Sequence, residues 1–359
     1  MYSVFKNILA SKSYLKEAEK MRRKVMHILA IIALLSVFTT GCEYKTNPSS
    51  AILHHLVDSN NLRITTEYLV NTIGIRVAGS KEESETLDYL VARLEEMGFS
   101  EADSTLYRTD FYSVSNLHSE NVVAICNKGK SDEILVILAH VDSVETSPGA
   151  KDNAAAVAAT LEMARILSTS AEHIDYEVRM IFAGAEETGY YGSTAYVKSL
   201  SETERRNHLG AFSMDIAVGS YDEGSVFNCN TLGGRSNGEY VRGNWLVPVD
   251  NLVSISVIAA LQEIMGYTDE DNGVLYSSPY NNGYSDHVSF HNAQIDSANI
   301  GWRRLRDGSP TMPQEYHRMT DTTENLDFET TKLTAQCILR AIELLSENKS
   351  YVLANYLLN

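Results

Sequence analysis

The 359-residue chain reads as a single α/β domain with a mostly parallel central sheet flanked by helices on both faces. Three observations predict this. Apolar runs alternate with stretches of helical periodicity, the pattern of parallel strands joined by crossover helices. Ile134–Ala139 is apolar throughout, the signature of a strand covered on both faces. No break in composition divides residues 51–359, and a hydrophobic fraction of 44% can fill one sizeable core.

The chain opens on a different pattern. Residues 1–20 have no apolar core, but Met21 is followed by the basic Arg22-Arg23-Lys24 and then by the apolar stretch Ile28–Phe38. That stretch is short for a spanning helix and suits an export signal covering residues 1–41, with translation beginning at Met21. Thr39-Thr40-Gly41-Cys42 resembles the bacterial lipoprotein processing site, although Thr39 stands where that pattern prefers Leu. The expectation is an exported protein, extracellular or attached to the membrane through a lipidated Cys42, with residues 42–50 as tether and 51–359 as the folded domain.

Helical periodicity occupies residues 51–73. Ser80-Lys-Glu-Glu83 fits a capping box, and Leu87, Leu90, Val91, Leu94 and Met97 continue at helical spacing to Gly98. Strands are expected at Val122–Ile125, Ile134–Ala139, Tyr176–Ala183 and Leu209–Met214. An Ala-rich helix follows Ala154, and further helices cover Val253–Met265 and Phe328–Glu347. Residues 219–245 and 268–285, rich in Gly, Asn or Tyr, read as loops, as does Trp302-Arg-Arg304. His54-His55 reads as helix surface, and Asp269-Glu-Asp271 as a solvated acidic loop.

The formal net charge is −17, although residues 1–41 carry seven Lys/Arg against two Asp/Glu. So acidic a remainder repels nucleic acid and anionic membranes, and no nucleic-acid partner is expected. Without Cys42, three cysteines remain, and none forms a Cys-x-x-Cys pair. Cys126 and Cys337 read as small buried side chains rather than parts of a disulfide framework.

The chemistry gathers where strands end. Val178–Ala185, apolar except for Arg179, stops on Glu186-Glu187. Two adjacent carboxylates repel, and a divalent metal would separate their roles. Ile134–Ala139 delivers His140-Val-Asp142, a metal-ligand type with a carboxylate able to fix its tautomer. Asp152, in Gly149-Ala-Lys-Asp152-Asn153, can cap the helix that follows or bridge two cations. Asp215 ends Phe212-Ser-Met. Open α/β sheets bind ligands beyond the carboxyl ends of their strands. Farther on, Tyr284-Ser-Asp286-His287 and Tyr316-His317-Arg-Met-Thr-Asp321-Thr each place a His beside a carboxylate; composition leaves open which His is a ligand.

Taken in order, these six motifs resemble those of the co-catalytic di-zinc aminopeptidases, a group that includes secreted bacterial leucyl aminopeptidases. The resemblance runs from about residue 60 to 345. It implies the zinc-exopeptidase, phosphorylase/hydrolase-like fold and two zinc ions. His140 and Asp215 would hold one ion, Glu187 and His317 the other, with Asp152 bridging. It also implies that Glu186 is the general base, that Asp142 orients His140, and that Tyr316 polarises the scissile carbonyl. Asp286 and His287 would be supports. The implied substrates are peptides with a free amino terminus. Lys151 departs from the pattern, which often has Asp or Asn there, and Arg318 stands where Thr is common. Two other functions fit the scaffold: a different zinc amidohydrolase, such as a carboxypeptidase or glutaminyl cyclase, and a non-catalytic surface lipoprotein.

Overall fold

The computed structural model describes residues 52–358 apart from 221–224, 237–238, 243–250, 266–274, 277–283, 307–308 and 325. The expected leader, Cys42 and the tether lie outside the described residues, as does Asp269-Glu-Asp271.

Asp58 accepts a hydrogen bond from the Asn60 amide and opens α1 (Ser59–Glu67). Ser80 accepts from the Glu83 amide to open α2 (Lys81–Glu96). The expected capping box is only half formed. The Glu83 carboxylate turns instead to the amides of Gly79 and Ala185, at 2.7 and 3.0 Å, and joins α2 to the loop that carries Glu186.

Next come β1 (Leu106–Tyr112), β2 (His118–Cys126), β3 (Ile134–His140), α3 (Ala155–Ser170) and β4 (Glu177–Ala183). After them are α4 (Tyr191–Ser199), α5 (Glu202–Asn207) and β5 (His208–Met214). Short strands follow: β6 (Gly219–Ser220), β7 (Ser225–Asn230), β8 (Gly233–Ser236) and β9 (Glu239–Arg242). The chain continues through α6 (Leu252–Met265), β10 (Leu275–Tyr276), α7 (His287–Asn292) and β11 (Ser297–Arg306). It ends with β12 (Ser309–Thr311), β13 (Leu326–Asp327) and α8 (Phe328–Leu358).

The main sheet has the order β1-β2-β4-β3-β5-β11-β7-β10, with β12 paired to β11. Its centre, β4-β3-β5-β11, is parallel, and antiparallel pairs flank it at β1–β2, β2–β4 and β11–β7. The sheet is therefore mixed, with its parallel part where the apolar runs lie. Alternation along β3 feeds both faces: Leu135, Ile137 and Ala139 join the core under α1, α2, α3, α6 and α8. Ile134, Val136 and Leu138 join a second cluster with Tyr196 of α4 and Phe290 of α7.

Two expectations are corrected. Residues 219–245 hold short strands, β6 to β9, rather than loop alone, because β7 buries Val226, Phe227 and Cys229. Trp302-Arg-Arg304 belongs to β11, where Trp302 and Arg303 are buried. Apolar Ala298, Ile300 and Trp302 alternate there with Asn299, Gly301 and Arg303. That strand has polar residues on a covered face, which disguises it as a loop. Cys126, Cys229 and Cys337 are buried and form no disulfide, as expected for the first and last. No described helix is long and apolar enough to cross a membrane.

Gly301 lets the end of β5 lie against β11: a Cβ there would meet the Asp215 carbonyl oxygen at 2.0 Å. Gly301→Ala is expected to lower stability by about 1–3 kcal/mol, because backbone rather than a flexible side chain must give way. Urea denaturation measures the difference.

Candidate metal centre

Three neighbouring parallel strands end together. β3 closes on His140, β4 runs on through Gly184-Ala185 to Glu186-Glu187, and β5 runs on to Asp215. Asp152 reaches the same place from the turn Ala150–Ala154 between β3 and α3. That turn is entered through Gly149 at φ 65°, where a Cβ would lie 2.5 Å from the Asp152 carbonyl oxygen. The Asn153 amide fixes it over β5, donating to the Met214 carbonyl (2.9 Å) and accepting from the Ile216 amide (3.2 Å). Asp152 does not cap α3: the cap position is held by Ala154, and no side chain caps the helix.

Ligand-type atoms form two groups that share Asp152. One nitrogen or oxygen each of His140, Asp152 and Asp215 lie within 4.8 Å of one another, and so do those of Asp152, Glu187 and His317. His140 Nε2 is 3.3 Å from Asp152 Oδ1. His317 Nε2 is 3.3 Å from Asp152 Oδ2 and 3.2 Å from Glu187 Oε2. His317 Nε2, Glu187 Oε1 and Asp215 Oδ1 are all buried without a hydrogen-bond partner. Lone pairs that converge but do not pair fit a shared cation, and imidazole with carboxylate is a donor set suited to zinc.

A ring of buried groups holds these loops. Both Asp142 oxygens accept backbone amides, from Glu186 and Glu187, each at 3.0 Å. His140 Nδ1 faces the same residue, 3.2 Å from the Asp142 carbonyl oxygen and 3.5 Å from its Oδ1. Asp142 thus ties the histidine to the glutamate pair, a second task its spacing from His140 does not announce. Asp321 accepts from the amides of Lys151 (2.8 Å) and Asp152 (3.2 Å). Arg76 is buried and donates to the carbonyls of Leu69, Gly74, Val141, Pro148 and Gly149. It has no motif around it in the sequence; only its place between two apolar segments hinted at burial. Glu83 belongs to this ring through Ala185.

Burial dominates the electrostatics. Desolvation pushes Glu186 well above the usual carboxylate range, opposed by the charge of His140. Desolvation and Asp152 push Glu187 up to about 7, and Asp215 is raised for the same two reasons. Burial acts likewise on Asp152, but its contacts with His140 and His317 outweigh it and hold this carboxyl below its ordinary value. Beside Asp152 and Glu187, His317 is pushed up to about 10. A set of carboxylates that resist ionising together is one a divalent cation would stabilise.

Every predicted ligand position, His140, Asp152, Glu187, Asp215 and His317, thus falls in one of the two groups. Tyr316 stacks on His317 with ring centroids 3.7 Å apart, and burial, then Asp152, raises its hydroxyl pKa. Asp286 and His287 are buried at the start of α7 and join neither group. Burial pushes Asp286 up to about 7 and His287 down to about 3. A third group, Asp110, His118 and Glu120, lies on the β1–β2 edge, mostly exposed.

Residues 121–342 match the family described as Peptidase family M28. The aminopeptidase YwaD of Bacillus subtilis is 33% identical over 278 residues, covering 76% of this chain and 52% of YwaD. A Mycobacterium tuberculosis protein described as "Probable lipoprotein aminopeptidase LpqL" is 29% identical over 60% of this chain and 43% of its own length. The chain therefore spans about half the length of these relatives. Among solved structures, a zinc aminopeptidase from Bacillus subtilis superposes with a TM-score of 0.65 at 20% identity, covering 79% of this chain and 94% of that one. At that identity the likeness speaks for the fold.

Glu83 supplies a pH test of the ring. Burial, and then the charge of Asp142, raises its pKa to about 7. With the folded value above the unfolded one, its favourable contribution is complete below the ordinary glutamate pKa and is lost as pH rises through about 7. Glu83→Gln removes that dependence and costs a pH-independent amount, because one amide loses its acceptor. The stability gap between wild type and Glu83→Gln should narrow by up to about 3 kcal/mol from pH 4 to pH 8. Urea denaturation across that range reads it.

Proposed function

The chain belongs to peptidase family M28, and from that membership we propose that it is a zinc-dependent aminopeptidase that removes residues from peptides with a free amino terminus. The observation that carries this reading is the pair of ligand groups sharing Asp152. His140 and Asp215 would hold one zinc, Glu187 and His317 the other, with Asp152 contributing to both. Zinc held there supplies Lewis acidity toward a water and toward the scissile carbonyl.

The remaining roles fall to the chain's own residues. Glu186 is the general base: it takes the proton of the attacking water and delivers it to the leaving amine. Its burial keeps it a strong base once a nearby cation favours the ionised form. Asp142 holds the Glu186 and Glu187 amides and faces His140, so it orients base and ligands together. Tyr316, with its hydroxyl pKa raised, remains a donor at working pH and can stabilise the developing oxyanion. The acidic surroundings suit a cationic α-amine, which would confine cleavage to the first residue. The apolar leader and Cys42 support export, with attachment through a lipidated cysteine, and the description of LpqL agrees with that reading.

Two measurements test this. Against aminoacyl-anilides and peptides, the protein should release only unblocked amino-terminal residues and stop when chelator is added. Release from blocked substrates, or activity that survives chelation, contradicts the proposal. Glu186→Gln should lower kcat by about 10²–10⁴-fold while zinc content stays at the wild-type level. Near-normal turnover in that variant removes Glu186 as the base.

A further inference from the structure

Four of the proposed ligands sit at or directly after strand ends or in the turn that opens α3; His317 does not. It lies in the turns between β12 and β13, with backbone φ 59° and a side chain 36% exposed. Besides Ser147 Oγ donating to Asp321 Oδ2 (3.4 Å) and the Ala150 amide donating to the Asp321 carbonyl (3.3 Å), three links return this stretch to the segment after β3. Thr146 Oγ1 donates to the His317 carbonyl at 3.0 Å. Asp321 accepts the Lys151 and Asp152 amides at 2.8 and 3.2 Å. Lys151 Nζ donates to Glu315 Oε2 at 2.7 Å.

The third link differs in kind. It joins two full charges whose side chains are only 4% and 16% exposed. Withdrawing an ammonium from water costs several kcal/mol unless it is paired, so each partner constrains the other. Lys151 precedes Asp152, and Glu315 lies two residues before His317. The pair therefore spans the two segments that meet where His317 Nε2 approaches Asp152 Oδ2 at 3.3 Å. His140 and Asp215 are set by β3 and β5 and touch neither partner of the pair in any described hydrogen bond or ion pair.

We propose that the Lys151–Glu315 ion pair is a clasp that positions His317, and so sets the affinity of the Glu187–His317 metal position without setting that of the His140–Asp215 position. It rests on the two-zinc reading given above. Lys151 and Glu315 are positioning residues: they act through His317.

Zinc titration of the full chain against a competing chelator, with a melting temperature taken on each chelated protein, tests the clasp. Wild type should bind two equivalents. Lys151→Met and Glu315→Met should each weaken one equivalent by at least about tenfold and leave the other within about threefold. Lys151→Arg keeps the charge and should stay within about threefold of wild type at both. The double variant Lys151→Met/Glu315→Met separates positioning from simple burial. With both charges removed, its melting temperature should recover toward wild type, while the weakened equivalent stays weak. Recovery of both zinc affinities in the double variant would overturn the clasp, as would equal weakening of the two equivalents in the single variants. Fewer than two equivalents in wild type overturns the two-zinc reading and the clasp with it.

Discussion

The structure is organised around the cost of burying carboxylates together. Asp142, Asp152, Glu186, Asp215, Asp286 and Asp321 are all buried near the carboxyl ends of the parallel strands, with Glu187 close to them. An ionised carboxylate taken from water costs several kcal/mol unless it is hydrogen-bonded or paired. The molecule answers in two ways. Asp142 and Asp321 are satisfied by backbone amides, two apiece. Arg76 and Lys151 add positive charge on the side of the turn before α3. Asp215 and Glu187 retain buried oxygens without partners, and these face the space between the two histidines. Asp286 also keeps both oxygens unpaired yet joins neither ligand group, so an unpaired oxygen marks a candidate ligand only where a histidine and a second carboxylate converge with it.

Satisfying so many carboxylates with amides distorts the loops. Ala185, Ile216 and His317 have φ between 53° and 59°, and each adjoins a proposed base or ligand or is one itself. Residues other than glycine avoid that region, and such strain persists only where the surroundings over-determine it. Here the surroundings are specific. The Ala185 amide is held by Glu83, and the Ile216 amide by Asn153. Gly301 lets the Asp215 and Ile216 carbonyls press against β11. The regular sheet therefore sets the position of the strand ends, and buried hydrogen bonds from side chains to backbone set the direction of the loops that leave them.

This division explains what the sequence disclosed. The buried parallel strands were legible because Ile134–Ala139 and its neighbours are apolar on both faces. The residues at their ends were legible because His140, Glu186-Glu187 and Asp215 break those runs abruptly. β1 was not legible, since Arg108, Thr109 and Asp110 interrupt its apolar pattern and only Leu106 and Phe111 are buried. β11 was missed for a related reason: its polar residues are buried beside the site. The second task of Asp142, the burial of Arg76 and the diversion of Glu83 from its capping box each involve a partner between 44 and 102 residues away. Local spacing carries no trace of such partners.

The two halves of the proposed centre are consequently unequal. His140 and Asp215 extend from packed strands and are almost wholly buried. Glu187 and His317 are less covered, and His317 stands beside Tyr316 on a turn with no strand of its own. Among the described residues the ligand groups are most exposed on the His317 side, where a substrate of the proposed reaction would approach. In the proposed reaction the scissile carbonyl would then arrive beside Tyr316, while the buried half stays fixed. The more exposed half of such a centre must still be placed to within a fraction of an ångström for catalysis. A turn cannot supply that precision by its own backbone hydrogen bonds. In the proposed centre, the side chains that join it to the loop after β3 would therefore belong to the working site without being ligands.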